Sequence, residues 1–449
     1  MLVSVSSSKL ATRASRSLFA KASAMPSVAL TEEFPAVPPS QPAATSAPTL
    51  TTSTALSGLA LGSDDCAASV ATIGVQLATG TRDECDETAG VSQLFSKLAF
   101  RATQTRSDLR LFRDIEAIGG VVHARAGREF VRYSVSVLPD QLPAAAEILA
   151  ETTLAPKFAL YDVDAQKRLV RAEHDAIRDD PSQTLLEGVH AAAFYDDVAL
   201  GRPLAPVANL EALDPEALWS YYNQHVNTAN AALVGAGVAH ATLTDLANQF
   251  FGSLGQGSKV ARASAAYVGG ETREKYASKF TRVALALPTV GRESADFGAS
   301  QVLRGLLSVR LKHHKKVAAV LSSYSDVALM SLCSYAAPWE AGALVDLLAA
   351  EFVKAASTPA SKEELAAAKT TAALEALEDY STQAGNLGRI GLMAASGRVP
   401  ESPSQIVENV TAAKLQELAR NALKATPSVA AYGVLSTVPH VDAVASKLQ

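Results

Sequence analysis

The chain has 449 residues, more than one ordinary domain needs, and 48% of them are hydrophobic against 19% charged, which excludes global disorder. Its 40 Lys and Arg stand against 45 Asp and Glu, and a formal net charge of −5 leaves no basic excess for phosphates, which excludes a nucleic-acid binder. Cys66, Cys85 and Cys333 are too scattered for a disulfide framework or a zinc knuckle and read as small hydrophobes.

The first acidic residue is Glu32, and before it Lys9, Arg13, Arg16 and Lys21 alternate with hydroxyl residues and with Leu2, Leu10, Leu18 and Phe19. A basic, Ser-rich, acid-free start predicts a presequence over residues 1–35, of mitochondrial type, with a chloroplast address the compositional alternative. Cleavage is expected shortly after Arg16. Residues 36–54 are rich in Pro, Thr and Ala and predict an extended linker. Two stretches lack formal charge for more than 20 residues, Pro35–Ser63 and Ala217–Thr244, but prolines and hydroxyls in one and Asn, Gln and His in the other argue against a membrane span.

Beyond the linker, Val91, Leu94, Phe95 and Leu98 fall at helical spacing, so Ser92–Arg101 is predicted helical. A helix over Leu109–Ile118 stops at Gly119-Gly120. Phe130–Val137 alternates, with Val131, Tyr133, Val135 and Val137 on one face, as in a half-buried strand. Helices follow over Gln141–Glu151, with Pro143 in the first turn, and from about Asp164 to Ile177.

The chain also repeats itself. Arg82 matches Arg292, and Gly90-Val-Ser-Gln-Leu-Phe95 matches Gly298-Ala-Ser-Gln-Val-Leu303, an offset of 208 residues (90 against 298). Later, Glu211–Trp219 parallels Glu408–Gln416, and Ala231–Gly235 parallels Val429–Gly433, at an offset near 197 (211 against 408). Two blocks in one order predict a duplication: a first domain over 55–252, an interdomain linker over 253–270 and a second domain over 271–449. The expected fold class is α+β, two homologous tandem domains, each a mainly antiparallel sheet with helices on one face. Abundant Ala, Gly and Ser predict close helix–sheet approach at the cleft between them.

The predicted helix after Gly90 presents Gln93, Ser96 and Lys97 opposite its apolar stripe. Positions i, i+3 and i+4 are where a zinc-peptidase helix carries two histidines and a general-base glutamate. An amide, a hydroxyl and an ammonium cannot replace them, and Glu173 alone cannot hold zinc. His123, His174, His190, His225, His240 and His440 each stand apart, and His313-His314-Lys315-Lys316 reads as a solvated basic face, with an anionic lipid or an acidic partner as the functional alternative. Gly235-Ala236-Gly237 lacks the third glycine of a dinucleotide loop. No catalytic, metal-binding or cofactor-binding residues are expected.

These blocks resemble the pitrilysin/insulinase-type zinc peptidases. In that family a strand ends in Gly-Ser-Arg-Xaa-Glu, matched by Gly80-Thr81-Arg82-Asp83-Glu84, and Gly-Xaa-Xaa-His-Phe-Leu-Glu-His follows, matched in register by Gly90–Lys97. The resemblance places the zinc histidines on Gln93 and Lys97, the general base on Ser96, the distal ligand on Glu173 and a companion acidic position on Gln166. It implies the fold without the activity, as in the non-catalytic mitochondrial branch: the α-subunit of the processing peptidase and the core subunits of ubiquinol–cytochrome c reductase, complex III. The α-subunit carries a glycine-rich loop that the equivalent stretch Gly298–Leu307 lacks, while Tyr324-Ser325-Asp326 is similar to the core-protein-2 group. That group implies no cofactor, a core protein 1 partner, contact with cytochrome b and cytochrome c1 in a dimeric complex, and a matrix-facing position on the mitochondrial inner membrane.

Overall fold

The computed structural model describes residues 50–448, apart from residues 66–67, 196–198, 260–261, 315 and 397–407. The expected presequence, most of the expected linker, Cys66 and Lys315 lie outside the described residues. The described residues all belong to one compact unit.

Two mixed sheets organise it. The first has the order β1-β2-β6-β3-β5-β4, from β1 (Leu50–Thr54), β2 (Ala60–Asp64), β3 (Ala71–Leu77), β4 (Val121–Ala126), β5 (Val131–Val137) and β6 (Ala231–Ala236). The second has the order β7-β11-β8-β10-β9, from β7 (Gly270–Lys275), β8 (Thr281–Val290), β9 (Val317–Ser323), β10 (Val327–Ala336) and β11 (Ser428–Gly433). In each sheet one pair is parallel, β2 with β6 and β7 with β11, and the rest are antiparallel. Removing β1 leaves the same five-strand order twice, the duplication read from the sequence. Strand β1 begins inside the stretch expected to be linker: Leu-Thr-Thr-Ser-Thr is β-branched and hydroxyl-rich, suited to a half-exposed edge strand.

Between the strands of the first repeat run α1 (Val91–Leu98), α2 (Asp108–Ala117), α3 (Leu142–Leu154), α4 (Leu160–Asp179), α5 (Pro181–Phe194), α6 (Pro215–His225) and α7 (His240–Phe250). The second repeat carries α8 (Phe297–Arg310), α9 (Ala341–Ser357), α10 (Lys362–Ser381), α11 (Gln383–Ser396), α12 (Ala412–Leu423) and α13 (Val441–Leu448). Among the described residues no helix is long and apolar enough to cross a membrane.

Each repeat packs its own helices on one sheet face. There the strands present large side chains: Ile73, Val75, Leu77, Leu233 and Val135 in the first core, Val283, Leu285, Leu287 and Met330 in the second. The opposite faces are built differently. Helix α5 of the first repeat lies on the second sheet, where Leu185, Val189 and Ala193 meet Ala284, Ala286 and Ala430. Helix α11 of the second repeat lies on the first sheet, where Leu387, Ile390 and Ala394 meet Ala232, Val234 and Ala236. The two helices hold equivalent positions, each directly after the long helix of its repeat. The exchange is therefore reciprocal, and each sheet is closed by the other repeat.

Small residues make this approach possible. A Cβ on Gly74 of β3 would sit 2.7 Å from Leu387 Cδ2, and one on Gly62 of β2 would sit 2.7 Å from Ile390 Cγ2. On the other sheet, a Cβ on Gly188 of α5 would stand 2.3 Å from Tyr432 Oη. Asp64 anchors α11 further, accepting from Asn386 Nδ2 at 2.7 Å across 322 residues of sequence.

Candidate functional site

The segment from β3 into α1 is built around Glu84. Its buried carboxylate accepts from the backbone N–H of Gly90 and of Ser92, both at 2.8 Å, and so caps the first turn of α1. Burial raises the Glu84 carboxyl above its ordinary value, opposed by those hydrogen bonds and by Arg202. Gly90 enters the helix at φ +94, a left-handed conformation that favours glycine, and a Cβ there would press on Pro206 O at 3.0 Å. The spacing Glu84–Gly90–Ser92 thus sets the axis of α1.

Along α1 the predicted stripe is buried: Val91, Leu94 and Leu98 enter the core, and Phe95 packs between Tyr133, Phe158 and Tyr221 at ring distances of 5.6–5.9 Å. Helix α4 crosses α1 and brings Glu173 to the other side. There Gln93 Nε2 donates to Glu173 Oε2 at 2.6 Å, and Lys97 Nζ pairs with the same oxygen at 2.9 Å. Ser96 turns into its own helix, donating to Gln93 O at 2.8 Å. Gln166, seven residues before Glu173 on α4, is buried, and its amide oxygen has no hydrogen-bond partner among the described residues.

The structure therefore brings together Gln93, Lys97 and Glu173, with Ser96 beside them. A zinc ion needs lone pairs converging on one point. Here the groups around Glu173 Oε2 are an amide N–H and an ammonium, which point hydrogens at the carboxylate and supply its counter-charge. The donor set does not fit zinc, and no step of a metal-assisted hydrolysis can be derived through it. Among the described residues no group of three or more His, Cys, Asp or Glu side chains could hold a metal ion.

The histidines are placed separately. His174 Nδ1 faces Ala205 O at 2.9 Å, His440 Nδ1 lies 2.7 Å from Glu271, and His240 bridges Ser53 and Ser63. His190 is the most buried of these, its Nδ1–H donating to Leu186 O at 2.6 Å and its Nε2 accepting from Tyr324 Oη at 2.7 Å. Burial, reinforced by Arg128, holds its pKa well below the ordinary value, so the ring is neutral.

A second constellation joins the repeats, and it uses the arginine pair of the internal repeat. Arg82 follows β3 and Arg292 follows β8 in equivalent positions. The β4–β5 hairpin carries Glu129 at its turn, and the β9–β10 hairpin carries Tyr324-Ser325-Asp326. Arg82 reaches across to Asp326 with two bonds of 2.9 and 2.7 Å and donates to Glu129 at 2.7 Å. Arg292 reaches the opposite way, to Glu129. Ser325 completes the shell, its N–H at 3.0 Å from Glu129 Oε2 and its hydroxyl at 2.6 Å from Oε1.

The connecting segment is part of the same cluster. Arg262 donates to both carboxylate oxygens of Asp83, at 2.7 and 2.6 Å, and to Glu129 O, while Ala263 O accepts from Arg82. Three guanidinium groups (Arg82, Arg262, Arg292) are thus matched by three carboxylates (Asp83, Glu129, Asp326). Burial alone would raise the Glu129 carboxyl, but Arg292, Ser325 and Arg262 outweigh it and hold it below the ordinary carboxylate range. Gly80 and Gly291 let the chain after β3 and after β8 pass close to the hairpin turn of its own repeat: a Cβ on either would lie 2.3–2.4 Å from backbone atoms of that turn. The sequence reading found Arg82, Arg292 and the Tyr-Ser-Asp segment but not Glu129, whose only signal is a charge at a hairpin turn. The same turn places Arg128 on Glu187 of α5, at 2.9 and 3.0 Å.

Residues 60–206 match the family described as Insulinase (Peptidase family M16), and residues 212–372 match the one described as Peptidase M16 inactive domain. The chain is 27% identical over 403 residues to the mitochondrial-processing peptidase subunit alpha-2 of Dictyostelium discoideum, covering 84% of this chain and 89% of that protein. It is 28% identical over 409 residues to the mitochondrial cytochrome b-c1 complex subunit 2 of Mus musculus, covering 86% and 90%. A chain of the Candida albicans complex III2 structure with Inz-5 bound has the same fold, with a TM-score of 0.78 at 15% identity over 89% of this chain and 100% of that one.

Proposed function

The chain belongs to peptidase family M16, and on that premise we propose that it is a non-catalytic structural core subunit of mitochondrial ubiquinol–cytochrome c reductase, complex III, rather than a peptidase. One observation carries the loss of activity: the Lys97 ammonium sits on Glu173 at 2.9 Å, with Gln93 on the same oxygen, where the family's chemistry requires a metal. The positions Gln93, Ser96, Lys97 and Glu173 are read as a degenerate former zinc site, with no catalytic residue and no cofactor.

The chain's work is then mechanical. Two sheets closed by each other's helix and pinned by a neutral six-charge cluster make a rigid body suited to supporting neighbouring subunits. The proposed partners are core protein 1 and, in the dimeric complex, cytochrome b and cytochrome c1, with the chain peripheral on the matrix side of the inner membrane. Residues 1–35 serve as the presequence, residues 36–54 as the lead into the first domain, and residues 253–270 as the interdomain segment.

Similarity to the α-subunit of a processing peptidase favours a second reading, a substrate-recognising partner of an active zinc peptidase. Against it, the stretch Gly298–Leu307 lies within the uninterrupted helix α8, and only residues 311–316 separate that helix from β9. Native electrophoresis of mitochondrial membranes in mild detergent separates the two. Co-migration with cytochromes b and c1 supports the core reading, and a soluble heterodimer with a zinc peptidase overturns it.

A further inference from the structure

All five strands of the second sheet turn at one end: β7, β10 and β11 finish there, and β8 and β9 begin. The other end carries Asp326 and the charge cluster, whereas this one presents aromatic rings to solvent. Tyr276 and Phe280 in the loop from β7 to β8, Tyr335 near the end of β10 and Trp339 just beyond it are all exposed. Cations are interleaved with them. Arg282 Nη1 donates to Tyr276 Oη at 2.6 Å, Phe280 meets Tyr335 edge-on at 5.6 Å, and Lys316 Nζ stands 5.8 Å from the Tyr335 ring centroid. Lys275 and Lys279, both exposed, adjoin Tyr276 and Phe280 in sequence.

The charge here runs against that of the chain. Lys275, Lys279, Arg282, Lys316 and Arg178 stand against Glu274, which Arg178 holds, Asp180, which lies near Arg282, and Glu340. Five positive charges against three negative leave +2, on a chain whose formal net charge is −5. The fold does not require this composition. One pair in from the same end of the first sheet, Thr72 stands opposite Ser136 and the two hydroxyls bond each other at 2.9 Å; in the second sheet that place holds Arg282 opposite Tyr335.

Exposed rings beside lysines suit a lipid headgroup layer, where the ring sits at the boundary and the long ammonium side chain reaches the phosphates. A protein interface also favours Tyr, Trp and Arg but depletes Lys, and three of the four cations touching or adjoining these rings are Lys. We propose that this end of the second sheet docks directly on an anionic lipid surface. Tyr276, Phe280, Tyr335 and Trp339 enter the headgroup layer, and Lys275, Lys279, Arg282 and Lys316 face its phosphates. The proposal concerns the isolated chain, so it stands or falls separately from the place in complex III.

Trp339, 77% exposed, supplies the readout, since the only other tryptophan is Trp219 on α6, packed against Phe158 and Tyr222. The full-length chain is titrated with phosphatidylcholine vesicles with and without phosphatidylglycerol, part of the phosphatidylcholine being brominated as a quencher. Trp339 emission should shift to the blue and be quenched, and Trp339→Phe should remove the signal. A signal at Trp339 is local, so attachment through Lys9, Arg13, Arg16 and Lys21 does not imitate it. Apparent affinity should be at least roughly tenfold higher with phosphatidylglycerol than without it, and should fall as salt is added. K275Q/K279Q should lose roughly tenfold or more with an unchanged unfolding midpoint, because both side chains are exposed. K424Q, which removes an exposed cation elsewhere on the second repeat, should change nothing. Y276S/F280S should weaken quenching on both kinds of vesicle; if that variant fails to fold, K275Q/K279Q still decides the matter. Equal quenching without phosphatidylglycerol, wild-type affinity in K275Q/K279Q, or an equal loss in K424Q would each overturn the proposal. So would a Trp339 shift given by poly-glutamate but by no vesicle, which would mark a surface for an acidic protein instead.

Discussion

Replacing Glu129 by Gln takes one negative charge from a cluster in which three guanidinium groups balance three carboxylates. The side chains of Arg82 and Glu129 are 3% and 4% exposed, so water cannot make good the loss. Arg292 is left without its carboxylate, and the new amide N–H meets donors in Arg82, Arg292 and the Ser325 N–H, with the Ser325 hydroxyl, which already accepts from Arg82 at 3.2 Å, as the acceptor within reach. Removing one partner of a buried pair costs about 3–5 kcal/mol. Because Arg82 keeps Asp326 and Arg262 keeps Asp83, the lower end applies, about 3 kcal/mol. The measurement is urea unfolding followed by circular dichroism and Trp219 emission. The midpoint should fall, with m unchanged if the repeats still unfold together. The pH dependence carries a sign. The folded Glu129 carboxyl is held below the ordinary glutamate value of 4.5, so its contribution is complete above that pH and is lost as pH falls through the depressed folded value. E129Q should lack that acid-side loss. The double variant E129Q/R82Q should be less destabilised than the sum of its parts, since both charges leave together. A midpoint change worth under about 1 kcal/mol, or strict additivity, would refute the claim that this cluster couples the repeats.

Three further outcomes can be checked. Gly188→Ala places a Cβ against the Tyr432 hydroxyl and should cost about 1–3 kcal/mol by overpacking, which Tyr432→Phe in the same chain should partly relieve; an unaffected single variant would show that α5 does not seat as described. Neutral His190 takes up a proton when the chain unfolds, so stability is complete above the ordinary histidine pKa of 6.5 and should fall below it by about 1.4 kcal/mol per pH unit; His190→Gln should flatten this slope between that point and the carboxylate range, with a residual slope from His225, whose pKa burial also lowers. The triple change Q93H/S96E/K97H, with Glu173 already placed on α4, should create stoichiometric zinc binding that E173Q removes, as read by metal analysis; zinc bound equally by the unchanged chain would contradict the account of Lys97.

Much of this was legible in the sequence because it depends on local periodicity. The α1 stripe of Val91, Leu94, Phe95 and Leu98 and the alternation of β5 survive in the fold with small shifts at their ends, as hydrogen-bonded elements should. Gln93, Lys97 and Glu173 could be placed together only through family resemblance, since nothing in their spacing makes α4 cross α1. The crossing helices were missed for a physical reason. The sheet sides of these contacts are largely Ala and Gly, and the helices mix Leu, Val and Ile with Ala and Gly, so burial there produces little contrast between apolar and polar positions. Helix α5 did leave one local mark, Asp180 before Pro181, where the carboxylate accepts from Ser182 N as an N-cap. Ser361 and Glu364 form a capping box that signals the start of α10 in the same way. Glu129 left no mark beyond a charge at a hairpin turn. A carboxylate in a hairpin turn is ordinarily solvated, and it is interior here because Arg82, Arg262, Arg292 and Ser325 gather around it from both repeats and the connecting segment.

The reciprocal exchange of α5 and α11 has a consequence for the order in which the molecule can be finished. A chain made or delivered from its N-terminus presents all six strands of the first sheet once residue 236 has emerged. That sheet nevertheless stays bare on its alanine face until residues 383–396 follow, and the bond between Asp64 and Asn386 waits with it. The first repeat must therefore persist half-covered while residues 237–382 arrive, about a third of the chain. Each half lacks a lid that only the other can supply, so neither has a finished state of its own to stop in.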